Sequence, residues 1–185
     1  AGAPSYAATG SLLIASTSVT RPDAPVSLPE VLYAHAAPDR RQIEPVDIRA
    51  WLADTFILEF GSRQEVTFRL AGTRICAIFG RELKHFSFYS LFSLNDIGLI
   101  RRLVQSCFRD KSVSVIRFDG ITKDRRVLGF EAIFLPLEGS ADGARLFGAI
   151  FPDDKPFWLG AEPIAESRLT SVRVADPEKE LLFLN

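Results

Sequence analysis

The chain of 185 residues contains no methionine, two histidines, two cysteines and two tryptophans. Each scarcity removes a class of function. Cys76 and Cys107 form no C-x-x-C pair and no zinc-ligand spacing. Nor do they make the dense framework of small secreted domains, so two buried thiols in a reducing compartment are expected. His35 and His85 are the only imidazoles available as haem ligands or general bases, and no Ser-His-Asp, Cys-His or metal-ligand set can be assembled around them. Apolar runs stop after a few residues, far short of the roughly 20 that a membrane span requires, so membrane insertion is not expected. The formal net charge of -1 supplies no general attraction for nucleic acid or anionic lipid, and a nucleic-acid partner is not expected.

What is present is the composition of a globular domain, 47% hydrophobic and 24% charged. A chain of this length buries about 70% of its extended surface on folding and needs no metal or disulfide staple. Residues 1–25 lack a basic leader pattern. They are read as a disordered segment or one introduced by expression. Residues 26–154 form the domain, and residues 155–185 are an extension that packs on it or on a partner.

"SLPEVLYAHAA" begins with Ser27 three residues before Glu30, a capping-box signature, and its Leu28, Val31, Leu32 and His35 follow helical spacing. "PVDIRAWL" places Ile48, Trp51 and Leu52 on one face of a second short helix. Strands are then expected over 55–60 and 65–71. In the second, Val66, Phe68 and Leu70 alternate with polar residues. Short helical turns follow. "SLNDIGLIRRLVQSCFRD" is the strongest helix, with Ser93 and Asp96 as a capping pair and Ile97, Ile100, Leu103, Val104, Cys107 and Phe108 as its buried stripe. Three strands close the body, 113–121, 127–137 and 144–151, joined by hairpin-length connections, and 169–174 is one further candidate strand. The order predicts an α+β fold with one mainly antiparallel sheet. The last three strands are apolar at both parities, so something must cover the second sheet face: N-terminal helices, the C-terminal tail or another subunit.

"FRLAGTRICAIFGRELKHFSF" joins the second strand to the helical turns. As a phosphate cradle it lacks the glycines and the lysine, although Thr73 and Arg74 at a helix start could hold an anion. The plainer reading makes Thr73 a cap and Arg74 a surface or cleft charge. Cys76 lies between Ile75 and Ala77 with no neighbour that would obviously lower its pKa, which suits a structural thiol. Arg117 and Glu131 are read as cross-strand partners or as cleft groups recognising a polar ligand, the cross-strand ion pair being the plainer reading. "RRL" in the long helix and "DRR" in the hairpin are read as solvated faces.

"GTRICAIFG", then "RELKH", then "SLND" entering the long helix resemble the pattern of PAS sensory domains, with Gly80, Glu82, Leu83 and Asp96 at the matching positions. His85 departs from it, since such sequences usually carry Gly there. "DTFILEF", "FRLAGTRICAIFGREL" and "FEAIFLPLEG" resemble more narrowly a bacterial, near-single-domain PAS family long catalogued as a domain of unknown function.

The resemblance implies a five-stranded antiparallel sheet with a helical flap on one face and N-terminal helices on or near the other. It implies a cytoplasmic sensory or adaptor module that binds a small molecule between sheet and flap and acts through protein–protein contacts. A homodimer and a signalling-protein partner are expected. The ligand-contact candidates are Phe68, Leu70, Thr73, Arg74, Cys76, Phe79, Glu82, Phe88, Leu103 and Phe134, and the dimer candidates are Val31 and Leu32. The "NCRF" core of flavin-adduct PAS light sensors is absent, and neither flavin nor haem is expected. Two alternatives stay open. With 15 Phe, the cleft could be filled by the chain itself, giving a ligand-free interaction or dimerisation domain. A small α+β-cone enzyme is the weakest reading, because its proton-moving groups are missing.

Overall fold

A computed structural model describes residues 51–61, 65–137, 144–176 and 179–184, the last eight of these (175, 176 and 179–184) by backbone alone. The first expected N-terminal helix, with Val31 and Leu32, and the second as far as residue 50 lie outside the described residues, as does the connection at 138–143; at the end of the second, Trp51 is buried while Leu52 is exposed, so the two do not share a face as expected.

Among the described residues, seven strands form one antiparallel sheet: β1 Thr55–Phe60, β2 Val66–Ala71, β3 Val113–Thr122, β4 Val127–Leu137, β5 Arg145–Pro152, β6 Ile164–Asp176 and β7 Lys179–Leu184. Their order is β2-β1-β5-β4-β3-β6-β7, so the expected five strands become seven. β6 runs well beyond the candidate strand 169–174, and β7 was not foreseen. β4 stands at the centre, with three strands on each side, which explains why its residues are apolar at both parities. The C-terminal extension puts Trp158 into the larger core cluster, but among the described residues its strands cover no face of the sheet. It lengthens the sheet along the edge of β3.

The flap occupies residues 73–110. It consists of α1 Thr73–Ile78, a 3-10 turn at Phe88–Leu91 and α2 Ile97–Asp110. α2 buries the stripe expected of it, Ile100, Leu103, Val104 and Cys107. It ends at Lys111, whose φ of 56° makes a left-handed cap where glycine is common. Asp96 and Ser93 do not form the expected capping pair. The Asp96 side chain makes no bond to its own helix and instead accepts the Leu169 N–H at 2.9 Å.

His85 turns the chain with a φ of 68°. That is the left-handed region, which glycine enters without the steric cost that a side chain adds. The turn lays residues 85–87 beside β2. His85 N–H donates to Phe68 O at 2.7 Å, and Phe68 N–H to Phe86 O at 3.0 Å, so that edge of the sheet is covered by the flap.

Two clusters of buried side chains lie on opposite faces of the sheet. The larger fills the space under the flap. The smaller, on the outer face, gathers Trp51, Val115, Ile133, Leu135, Leu137, Phe147 and Ala149, with Ile57, Val113 and Phe151 at its margin. The Trp51 and Phe151 rings meet edge to face at 5.2 Å.

Candidate functional site

The space between sheet and flap is lined by aromatic rings whose positions follow from strand parity. β1 supplies Phe56, β2 Phe68, β3 Phe118, and β4 both Phe130 and Phe134, while the flap lowers Phe88 and Phe92 onto them. Phe88 is the hub. Its ring lies 5.3 Å from Phe92, 5.6 Å from Phe68 and from Phe134, and 6.1 Å from Phe56. Phe92 continues the array to Phe118 at 5.5 Å, and Phe118 stacks on Phe130 at 5.2 Å. Edge-to-face and offset geometries at these spacings add about 0.5–1.5 kcal/mol per pair to the burial itself.

Two glycines make room for the rings. A Cβ on Gly148 would enter the Phe56 ring and press on the Ile133 carbonyl, and a Cβ on Gly120 would enter the Phe130 ring. The same interior holds two hydroxyls, Tyr89 Oη and Ser167 Oγ, that are buried without a hydrogen-bond partner among the described residues. Burial pushes the Tyr89 phenol up to about 12, against a smaller downward pull from Arg101. The Arg101 guanidinium lies 5.2 Å from the Tyr89 ring centroid.

The structure brings together Phe68, Phe79, Phe88, Leu103 and Phe134 of the sequence candidates, all buried in the large cluster. The other five stand outside it or at its margin. Leu70 is 51% exposed. The register of β1 with β2 shifts between Ile57 and Leu58, so that Leu58 faces Phe68 but Ile57 faces Leu70. The bulge at Arg69 breaks the alternation and sends Leu70 to the outer face beside Ile57, against the simple period-two expectation.

Thr73 is exposed and makes no side-chain cap, Gly72 being the N-cap of α1. A Cβ at Gly72 would collide with the backbone of Leu52 and Ala53, so close approach of the chain takes the place where a capping side chain would stand. Arg74 is engaged by the buried Asp54 carboxylate, which ties α1 to the 3-10 turn Leu52–Asp54 and leaves no open anion cradle there. Cys76 is half-buried, its thiol 3.7 Å from Glu82 Oε1 and 3.9 Å from Ala71 O. Burial, together with the Glu82 charge, holds this thiol above its ordinary pKa. Glu82 is exposed, and it also accepts the Lys84 N–H at 3.1 Å.

Cys107 is fully buried, donates to Ser114 Oγ at 3.1 Å, and is pushed up to about 11 by burial. Neither thiol has the depressed pKa of a nucleophile. Among the described residues no group of three His, Cys, Asp or Glu could hold a metal ion, and no helix is long and apolar enough to cross a membrane.

Sequence reasoning missed Phe56 as a partner of Phe88, and Phe118 and Phe130 as the continuation of the array through Phe92, although their strand parity announced them. It also missed Tyr89 and Ser167, for which no local signal exists. On the outer face Arg117 and Glu131 pair across β3 and β4 as expected, at 3.2 Å, and Arg117 also donates to Asp153 at 2.6 Å. Glu131 is 4% exposed, and its Oε1 has no hydrogen-bond partner among the described residues. Desolvation holds its carboxyl above the usual range in spite of Arg117 and Arg173. The "DRR" segment is not simply solvated. Arg126 pairs with Glu162 at 3.2 Å and lies over Phe157 at 5.4 Å and Trp158 at 5.9 Å.

A LOV protein of Rhodobacter sphaeroides is similar at 14% identity over 65% of this chain and 71% of that one, with a TM-score of 0.47. A second structure, the RsLOV d2 variant, is similar at 15% identity over the same shares, with a TM-score of 0.46. No curated protein matches the chain. The family model described as PAS domain matches residues 30–151, about two-thirds of the sequence. The chain therefore belongs to the PAS domain family.

Proposed function

We propose that this chain is a PAS-type adaptor of signal transduction that works through protein–protein contact and whose interior is occupied by its own aromatic side chains. The observation that carries the reading is the Phe88-centred array, in which rings from β1, β2, β4 and the flap fill the space where a PAS domain would hold a ligand. Gly148 and Gly120 support it, because both are shaped to the rings themselves. The contact surface in this reading is the outer sheet face with its Trp51 cluster, and Val31 and Leu32 in the segment before Trp51 carry self-association into a homodimer. A signalling protein is the partner class.

A second reading has a specific observation of its own. The unpaired hydroxyls of Tyr89 and Ser167 inside the same cluster suit a small molecule carrying polar groups, bound after rearrangement of the Phe88 ring.

A thermal-shift screen against a broad metabolite set separates the two. A ligand present at one hundred times its Kd adds about 2.7 kcal/mol, which raises Tm by roughly 5–10 °C for a chain of this size. The adaptor reading expects no metabolite to do so, together with a fall in dimer mass for the Val31→Ala, Leu32→Ala double variant. A reproducible shift by one chemical class establishes the second reading, and an unchanged oligomer mass removes the dimer assignment.

A further inference from the structure

The edge of β6 that faces away from β3 is shared between two elements. From Val172 onward it pairs with β7, Val172 facing Leu184 and Val174 facing Leu182. Before that point it is taken by the flap. Phe92 bridges Ser167 in parallel, Ser93 N–H donates to Ser167 O at 2.8 Å, and Leu169 N–H donates to Asp96 Oδ2 at 2.9 Å.

β6 is irregular at this point. Phe118 faces Leu169 but Arg117 faces Ser171, so Thr170 is an extra residue and the ladder shifts beside the Asp96 bond. Asp96 accepts a backbone N–H 73 residues away and spends no side-chain bond on its own helix. Phe92, where this contact with β6 begins, is itself buried against Phe88 and Phe118 in the aromatic interior. One short segment, Phe92–Asp96, thus has a ring in the core at its first residue and a carboxylate on β6 at its last.

We propose that Asp96 is a latch that makes the flap and the C-terminal hairpin β6–β7 one mechanical unit, so that movement of the aromatic interior reaches the hairpin through Phe92 and Asp96. The device goes beyond the adaptor reading and does not depend on whether the interior is self-filled or takes a ligand. Its physical basis is a charge-assisted hydrogen bond at a bulge, where the ladder itself is weakest. Protection of β7 amides depends on β6 staying in register, and β6 is held in register by the flap on one half of this edge.

Amide hydrogen exchange on the full chain tests the latch. Asp96→Ala is expected to raise exchange of the amides of 169–174 and 179–184 about tenfold, with β4 and β5 amides unchanged. Phe92→Leu is expected to raise exchange in β7 in the wild-type background and to add nothing in the Asp96→Ala background. Asp96→Asn keeps an acceptor oxygen without the charge and gives an intermediate rise of about threefold, which serves if the alanine variant does not fold. Exchange altered at Leu169 alone, or a Phe92→Leu effect on β7 of equal size in both backgrounds, overturns the proposal.

Discussion

Replacing Phe88 by alanine tests how the interior is filled. The ring is 1% exposed and touches the rings of Phe56, Phe68, Phe92 and Phe134 at centroid distances between 5.3 and 6.1 Å. Truncation removes the transfer energy of the ring and leaves a void of roughly 100 Å³, which at about 24 cal/mol per Å³ contributes some 2 kcal/mol beyond the lost transfer term. Loss of several edge-to-face contacts belongs to the same truncation and is not counted again. The expected total is about 3–5 kcal/mol, the usual range for a buried Phe→Ala change. With a urea slope of about 2 kcal/mol per M, the unfolding midpoint falls by roughly 1.5–2.5 M. The void is apolar and dry, so a small guest such as benzene is expected to restore about 1.4 kcal/mol at ten times its Kd. Urea titrations with and without benzene read both effects. A loss below about 1 kcal/mol, or equal benzene stabilisation of the unsubstituted chain, would refute the reasoning, because the interior would then already contain free space.

Two further substitutions probe the frame around that interior. His85→Gly should stabilise the fold by about 0.5–1 kcal/mol, because the exposed side chain is held at a φ of 68°, and thermal melting reads this as a Tm rise of roughly 1–4 °C. A fall in Tm would show that the imidazole supplies more than the strained backbone costs. Arg117→Ala leaves Glu131 buried without its ion-pair partner and should destabilise by roughly 1–3 kcal/mol, reduced from the cost of a fully buried pair because Arg117 is itself one-third exposed. The pH dependence follows from the direction of the Glu131 shift. Its folded-state pKa is raised, so between the unfolded and folded values the native state binds more protons, and stability rises as pH falls through that window. Glu131→Gln should abolish this slope. An unchanged slope in the glutamine variant would place its origin in another group.

Much of the sheet was legible because its strands carry their own signals. β1 and β4 have the boundaries that their apolar runs announced, and α2 buries the stripe that its spacing defined. β7 was hidden because "KELLFL" becomes a strand only by pairing with β6 along a bulged edge, from Asp176 with Lys179 to Val172 with Leu184. Leu70 illustrates a different limit. Its alternation with Phe68 was regular in sequence, but the bulge at Arg69 is a property of the β1–β2 pair and reversed its face. Arg74 and Asp96 looked like a cleft charge and a helix cap, the roles available to them locally, yet each is held by a tertiary partner, Asp54 and the Leu169 amide. The phenylalanine-rich composition did carry the decisive hint about the interior. Which rings meet at Phe88 depended on sheet order, which no single segment specifies.

The central claim is that the PAS interior is closed by the chain's own rings, and native mass spectrometry of gently purified protein tests it most directly. The account predicts the bare protein mass, as a monomer or an integral multiple, identical before and after denaturation. A mass excess that disappears on denaturation would contradict it, and would show a small molecule held in the space assigned here to Phe88 and its neighbours.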